Sequence, residues 1–189
     1  MIEKENILTY LKNNPTQNSE ILINFLNNSN NLYSRKNEIG HITGSAFILS
    51  EDLKNSLLIL HAKYNQYLSP GGHVDEGENS LEATIRESYE EVGINDLELL
   101  TPEIFDIDIH KIPEATKHGI FEPEHYHFDI RYLFKIKPNT KVQLNTLEAK
   151  GFKWTLLTEL SNSSNISIQR QANKVLSNLS YLHNNKLKI

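Results

Sequence analysis

The chain has 189 residues, of which 38% are hydrophobic and 23% charged, and this balance suits one globular core with an extension. Cysteine is absent, which excludes disulfides, thiolate nucleophiles and thiolate metal sites. The net charge of −5 argues against a nucleic-acid polymer as partner, and no apolar run approaches the ~20 residues of a membrane span. Since the amino terminus also has no signal-peptide pattern, we expect a cytoplasmic protein that does not bind membranes.

The first 35 residues predict a helical extension. Apolar residues recur at helical spacing on either side of Pro15-Thr16, which indicates two short helices. They are Ile7, Leu8 and Leu11 in the first helix, and Ile21, Leu22, Phe25 and Leu26 in the second. The asparagine-rich run 27–31 is typical of a linker. We therefore predict an extension over 1–35 and a main folded domain over 36–189. The extension could cap the core, which we favour, bind substrate or build a homodimer.

The pattern changes to strands after residue 39. Ile42, Gly44, Ala46 and Ile48 alternate with mostly polar residues, as in a strand with two different faces. Further strands are predicted over 57–60, 97–100, 104–110, 125–136 and 152–154, and a closing helix over 166–182.

A central helix is predicted over 80–92, between two terminal signals. Asn79 suits the N-cap position, Glu82 follows it by three residues as in a capping box, and Gly93 can end the helix in a left-handed conformation. One face should pack on a sheet because its residues recur at i, i+4, i+7 and i+11. That face consists of Leu81, Ile85, Ser88 and Val92.

Three carboxylates crowd another face of this helix. Glu87, Glu90 and Glu91 project within an arc of roughly 100°. A solvated charged surface is the alternative interpretation, but like charges at i, i+4 destabilise a helix that has no counterion. Hard oxygen ligands of this kind favour Mg²⁺ or Mn²⁺. The patch therefore predicts a divalent-cation site.

The run from Gly72 to Ile94 resembles the signature of the Nudix hydrolases, G-x5-E-x7-R-E-U-x-E-E-x-G-U, in which U is a bulky aliphatic residue. The chain departs from it only at Ser88, which stands at the first U position. The resemblance implies an α/β/α sandwich with a mixed sheet. It also implies a metal-dependent, MutT-like pyrophosphohydrolase that cleaves the phosphoanhydride of a nucleoside diphosphate linked to another moiety. The alternative is a non-catalytic Nudix-fold nucleotide sensor, which would not need the water-activating glutamates.

The same resemblance implies roles for the signature residues. Glu90 and Glu91 would bind the metal directly, together with a backbone carbonyl of Gly72 or its neighbour Gly71. Glu87 would join this metal site and help to position or deprotonate the attacking water.

Arg86, Glu78 and Glu148 would support these groups. Arg86 would hold the glutamates in register, and Glu78 would bind a further metal or pair with Arg86. Glu148 lies on the loop before Trp154, where several Nudix enzymes have another metal ligand or the general base. An ordinary exposed glutamate is the alternative for Glu148.

A second polar pattern lies on two of the predicted strands. Period-two alternation places polar side chains on one face of each strand. They are His125, His127, Asp129 and Arg131 in the later strand, and Asp106, Asp108 and His110 in the earlier one. An antiparallel pair joined by 111–124 could bring the two faces together. We expect a substrate wall in which Arg131 clamps a phosphate and His125 or His127 donates hydrogen bonds or binds a metal.

The alternative for this strip is a solvated face or a structural hydrogen-bond network. The later strand, together with 40–43 and 71–74, also resembles a segment of a poorly assigned bacterial Nudix subgroup. That similarity extends over about residues 40–155 and does not identify the substrate.

Overall fold

The computed structural model describes residues 2–16, 18–117, 120–179 and 182. Its helices are α1 (Ile2–Asn13), α2 (Ser19–Asn28), α3 (Ser80–Val92), α4 (Leu157–Leu160) and α5 (Ile166–Ser177). Its strands are β1 (Gly40–Leu49), β2 (Asn55–His61), β3 (Tyr67–Leu68), β4 (Gly71–His73), β5 (Glu98–Leu99), β6 (Asp106–Ile112), β7 (Ala115–Lys117), β8 (Ile120–Glu122), β9 (His125–Lys135) and β10 (Ala149–Leu156).

One mixed sheet organises the described residues. Its centre is the parallel pair β1 and β9, with β2 and β4 antiparallel to β1. β10 and β3 pair with β2, whereas β5 and β6 pair with β9. β7 and β8, which lie between β6 and β9 along the chain, form a separate antiparallel pair. The predicted mixed sheet is therefore confirmed.

Helices cover both faces of the sheet, each over its own apolar core. On one face, α1, α2 and α3 pack on alternate residues of β1 and β9, including Ile42, Ile48, Phe128 and Ile130. On the other face, α4 and α5 pack on Phe47, Leu49 and Leu133. Because successive strand residues point to opposite faces, β1 supplies both cores. The predicted α/β/α sandwich is confirmed.

The two amino-terminal helices are present where the spacing predicts them. Five of their apolar side chains are 0 to 2% exposed and join the core of the α3 face; they are Ile7, Leu11, Leu22, Phe25 and Leu26. The other two predicted residues, Leu8 and Ile21, are half-buried against the same core. The ring of Phe25 stacks on Phe128 with centroids 4.8 Å apart. The two helices thus bury their apolar faces on the sheet, and the domain boundary at residue 36 stays a prediction.

The ends of α3 are confirmed, but its predicted packing face is partly wrong. Asn79 and Glu82 form the capping box, and Gly93 ends the helix with φ 68°. Ile85, expected to pack on the sheet, is 42% exposed. The buried residues are mostly small and include Ser80, Ala83, Thr84 and Ser88.

The physical reason is the close approach of α3 to β1. A Cβ atom at Gly44 would lie 2.3 Å from the carbonyl oxygen of Ser80. A bulky side chain on this face would hold the helix away from the strand. Ser88 is fully buried, and its hydroxyl donates a 2.7 Å hydrogen bond to the Thr84 carbonyl, which satisfies the polar group.

The remaining elements differ from prediction mainly at their ends. The closing helix ends at Ser177, whereas the spacing predicts an end at residue 182; residues 180 and 181 lie outside the described residues. The antiparallel pairing of β6 with β9 is confirmed. Among the described helices, none has the length and apolar character needed to cross a membrane.

Candidate active site

β4 places the glycine pair directly against the glutamates of α3. The Gly71 amide donates a 2.8 Å hydrogen bond to Glu91 Oε2. A Cβ atom at Gly72 would lie 2.3 Å from Glu87 Oε1, so the carboxylate occupies the space that any other residue would fill. Gly72 in turn pairs with Gly44 of β1. At Gly71 the space is filled by β1 instead, because a Cβ atom there would lie 2.4 Å from the Gly44 carbonyl oxygen.

Arg86 holds several of these groups at once. Its Nε donates to Glu78 Oε1 at 2.9 Å, its Nη1 to Glu87 Oε1 and Glu90 Oε2 at 3.0 Å each, and its Nη2 to the His73 carbonyl at 2.8 Å. The planar guanidinium has its donors in a fixed fork, so it sets the spacing between the carboxylates and β4. These contacts agree with the expectation that Arg86 holds the glutamates in register.

Burial strongly perturbs the ionisation of the patch. Burial raises the pKa of Glu91 to about 8 although the Gly71 amide opposes the shift, and the nearby Glu87 and Glu148 charges raise it further. Burial also raises the pKa of Glu87, against the effect of Arg86. Glu90 is exposed and bonded to Arg86. A buried cluster of acidic oxygens is stabilised by protons or by a cation. The donor set fits a hard divalent ion.

Glu148 belongs to the same patch although it is distant in sequence. The backbone amides of Gln143 and Asn145 donate to the carbonyls of Val92 and Glu91 at 2.8 and 2.9 Å, which fixes this loop beside the end of α3. The Glu148 side chain is exposed, and its charge raises the pKa of both Glu87 and Glu91. The fold therefore brings Glu148 towards the signature glutamates.

The two polar strand faces meet as the alternation predicts. Asp106 pairs with Arg131, Asp108 with Asp129, and His110 with His127. The Arg131 side chain is 10% exposed, and its Nε lies 2.7 Å from Asp129 Oδ2. Its Nη atoms lie 3.5 Å from Asp106 and 3.4 Å from Asp108. Arg131 is thus surrounded by carboxylates within the fold.

Sequence reasoning missed two cations of α5 that complete this network. Arg170 Nη2 lies 2.7 Å from Asp106 and 3.0 Å from Asp108, and Lys174 Nζ lies 3.7 Å from Asp106. On β1, the hydroxyls of Thr43 and Ser45 donate to Asp129. No local pattern could reveal these contacts, because they depend on how α5 and β1 lie against the strip.

Five histidines form a cluster at the end of the strip. Two of them, His41 and His73, did not belong to the predicted site. The neighbouring ring centroids lie 4.8 to 5.6 Å apart, and the cluster consists of His41, His73, His110, His125 and His127. Burial lowers the pKa of His41 to about 4 and that of His127 to about 2. These two imidazoles are therefore neutral at physiological pH.

The chain matches known proteins over most of its length. The NUDIX domain model matches residues 41–178. Over 118 residues, the chain is 31% identical to a probable DHNTP pyrophosphohydrolase of Lactococcus lactis, and the aligned region covers 61% of this chain and 67% of that protein. Over 128 residues, it is 30% identical to an RNA pyrophosphohydrolase of Helicobacter pylori, with 61% and 77% covered. The solved E. coli dihydroneopterin triphosphate pyrophosphohydrolase superposes with a TM-score of 0.56 at 18% identity, covering 72% and 95%.

Proposed function

The chain belongs to the Nudix family of phosphoanhydride hydrolases, and from this premise we propose that it is a metal-dependent pyrophosphohydrolase. Its proposed substrate is a nucleoside diphosphate linked to another moiety, and its proposed cofactor is Mg²⁺ or Mn²⁺. The observation that supports this most strongly is the buried Glu91 carboxylate, bonded to the Gly71 amide and grouped with Glu87. A buried acidic cluster costs stability unless protons or a bound cation stabilise it.

We assign the metal to the oxygen donors of α3 and β4. Glu90 and Glu91 would hold it with the Gly72 carbonyl, and Glu87 and Glu78 would complete this site or a further one. A bound divalent ion would neutralise diphosphate charge and lower the pKa of bound water. Glu90 would have to exchange its hydrogen bond to Arg86 for the ion.

The chain's own residues would position the water and receive its proton. Glu87 is held by Arg86 against Gly72, and its raised pKa moves it towards the range suited to a general base near neutral pH. Glu148 is a second candidate for that base because its exposed carboxylate can meet solvent and substrate. Arg86 would act through Glu87, Glu90 and Glu78 as a positioning residue.

The polar strip supports two different proposals. Arg131 and Asp129 already have charged or polar partners within the fold, which favours the structural network over a phosphate clamp. For His125 and His127 we keep substrate contact as a proposal, because their rings lie beside each other at the end of the strip. Since Gly72 and His73 point to opposite sides of β4, these histidines would contact a part of the substrate away from the glutamates.

A product-release screen tests the function. The substrates should include dinucleoside polyphosphates, nucleotide sugars, ADP-ribose, dihydroneopterin triphosphate and, because of the Helicobacter relative, 5′-triphosphorylated RNA. We expect hydrolysis of a small molecule with Mg²⁺ or Mn²⁺ and none with EDTA. Preference for the RNA would contradict our expectation that no nucleic-acid polymer is a substrate. Binding without turnover in every case would support the sensor alternative instead.

A matched pair of variants ties any activity to the site. Glu87→Gln should lose the metal-dependent activity, whereas Glu103→Gln should keep it, because Glu103 is an exposed glutamate on the loop between β5 and β6. Equal activity of the two variants would remove Glu87 from the proposed mechanism.

A further inference from the structure

Three imidazoles from three neighbouring strands converge on one face of the sheet. His41 of β1 pairs in register with His127 of β9, and His73 lies on β4, which pairs with β1 on the other side. The ring centroids lie 5.1 Å apart for His41 and His73, 4.8 Å for His41 and His127, and 5.2 Å for His73 and His127. One ring nitrogen of each lies within 4.8 Å of those of the other two.

His41 has an unsatisfied side chain at the centre of this group. The residue is 1% exposed, and within the described part of the chain neither ring nitrogen has a hydrogen-bond partner. Buried polar groups in native proteins nearly always have a partner, because leaving one unpaired costs on the order of 1 to 3 kcal/mol. One of its ring nitrogens lies within 4.8 Å of a ring nitrogen of His73 and of His127, so a cation bound among the three would satisfy it.

His125 lies next to this group, with its ring centroid 5.1 Å from that of His41 and 5.3 Å from that of His127. Its Nδ1 lies 2.8 Å from the Pro123 carbonyl, which can only accept, so Nδ1 carries the proton and Nε2 keeps a free lone pair. Nε2 is buried and has no partner among the described residues. A backbone carbonyl that fixes the tautomer of an imidazole is the usual arrangement behind a metal-binding histidine.

His110 adds a second orienting contact at the edge of the group. Its Nδ1 lies 3.0 Å from Asp108 Oδ2, and its ring lies 5.6 Å from His127.

We propose that His41, His73 and His127 bind a transition-metal ion of the Zn²⁺ type, with His125 Nε2 or water in the fourth position. Imidazole nitrogen suits Zn²⁺, whereas Mg²⁺ and Mn²⁺ prefer the oxygens of the glutamate patch. Ligands about 2.1 Å from a tetrahedral ion lie roughly 3.4 Å apart. Side-chain rotation can close the remaining gap from 4.8 Å.

This site is separate from the proposed hydrolytic centre. Successive residues of β4 point to opposite sides of the strand, so Gly72 lies against Glu87 while the ring of His73 lies beside His41. The zinc site therefore does not rest on the proposed function, and it can be tested in a protein whose glutamate site has been disabled.

The test is calorimetric titration of the chelator-treated full-length protein with Zn²⁺. We expect one tight site in the wild type and in a Glu90→Gln, Glu91→Gln double variant. His127→Gln should weaken Zn²⁺ binding by more than about 100-fold, since loss of a group that only orients a ligand already lowers metal affinity 10- to 100-fold. His61→Gln should bind as the wild type does, because His61 is a described histidine outside the cluster, beside Tyr64. Co²⁺ in place of Zn²⁺ should give the visible bands of a four-coordinate ion.

Several results would overturn the zinc site. They are no tight Zn²⁺ binding by the wild type, loss of binding in the double glutamate variant, or full binding by His127→Gln. If His127→Gln does not fold by circular dichroism, zinc-edge X-ray absorption of the loaded double variant decides. Imidazole scattering from three or four ligands supports the site, and an oxygen-only shell contradicts it.

Discussion

The backbone amide of Gly71 donates a 2.8 Å hydrogen bond to the carboxylate of Glu91, 20 residues later in the chain. This contact joins β4 to the buried end of α3 and places a carboxyl group where water is largely excluded. Glu91 is 4% exposed, and its burial is the main reason for its raised pKa. The metal-free protein must therefore keep a proton on Glu91 or accept a buried charge.

We predict that the metal-free protein loses stability as pH rises from about 4.5 to about 8. Below pH 4.5, the pKa of Glu91 in the unfolded chain, Glu91 is protonated in both the folded and the unfolded state. Above this pH the unfolded chain releases the proton first, so the free energy of unfolding falls. The fall ends near pH 8, where Glu91 of the folded protein also releases its proton. Urea unfolding in EDTA across this range measures the effect. Glu91→Gln should flatten the decline, and Mg²⁺ should offset it by replacing the proton. The same decline in Glu91→Gln would assign it to another group.

Glu90→Gln and Glu87→Gln should affect different steps of the proposed reaction. Loss of a ligand carboxylate at Glu90 should weaken Mg²⁺ binding and lower kcat on the order of 100-fold, because stabilisation of the developing charge is lost. Glu87→Gln should lower kcat far more than metal affinity, because Glu90 and Glu91 would remain as the direct ligands. Metal titrations of the initial rate separate the two effects. Wild-type rates in either variant would remove that residue from the site.

Glu148→Gln should lower kcat by about 100-fold if Glu148 is the general base, without lowering stability, because its side chain is exposed. The pH dependence of kcat should also lose its acidic limb. Glu103→Gln is the control for an exposed carboxylate. A change confined to metal affinity would make Glu148 a ligand, and no kinetic change would make it an ordinary surface residue.

Arg131→Ala should destabilise the protein by about 3 to 5 kcal/mol, because it leaves Asp129 buried without its closest cation. Chemical denaturation measures this loss, and steady-state kinetics of the remaining folded protein should show an unchanged KM. A stable variant with a raised KM would instead support the phosphate clamp that the strand pattern suggests.

A chain that starts at residue 36 should not form a stable fold, so we expect it to show no cooperative unfolding transition. It lacks five side chains that are 0 to 2% exposed, each contributing roughly 1.5 to 3 kcal/mol before entropy, and whole domains have only about 5 to 15 kcal/mol. It also lacks Glu3, which accepts a 3.1 Å hydrogen bond from the Ser80 amide at the start of α3. Calorimetry and circular dichroism test this. A folded truncation that still hydrolyses substrate would support a domain boundary at residue 36.

The sequence by itself determined the features that depend on neighbours along the chain. Asn79, Glu82 and Gly93 define α3 because capping groups bond backbone atoms within one helical turn. The glutamate face of α3 and the polar faces of β6 and β9 follow from the helix and strand periods. The spacing from Gly72 to Ile94 was specific enough to identify the family.

Only the tertiary structure decided which of these faces meet other parts of the chain. Ile85 is exposed because the close approach of α3 to Gly44 selects small residues at the contact. His41 and His73 join His127 because β1 lies between β4 and β9. Strand order and helix depth are set by the packing of the whole core, and contacts between residues far apart in sequence leave no periodic signal in the chain.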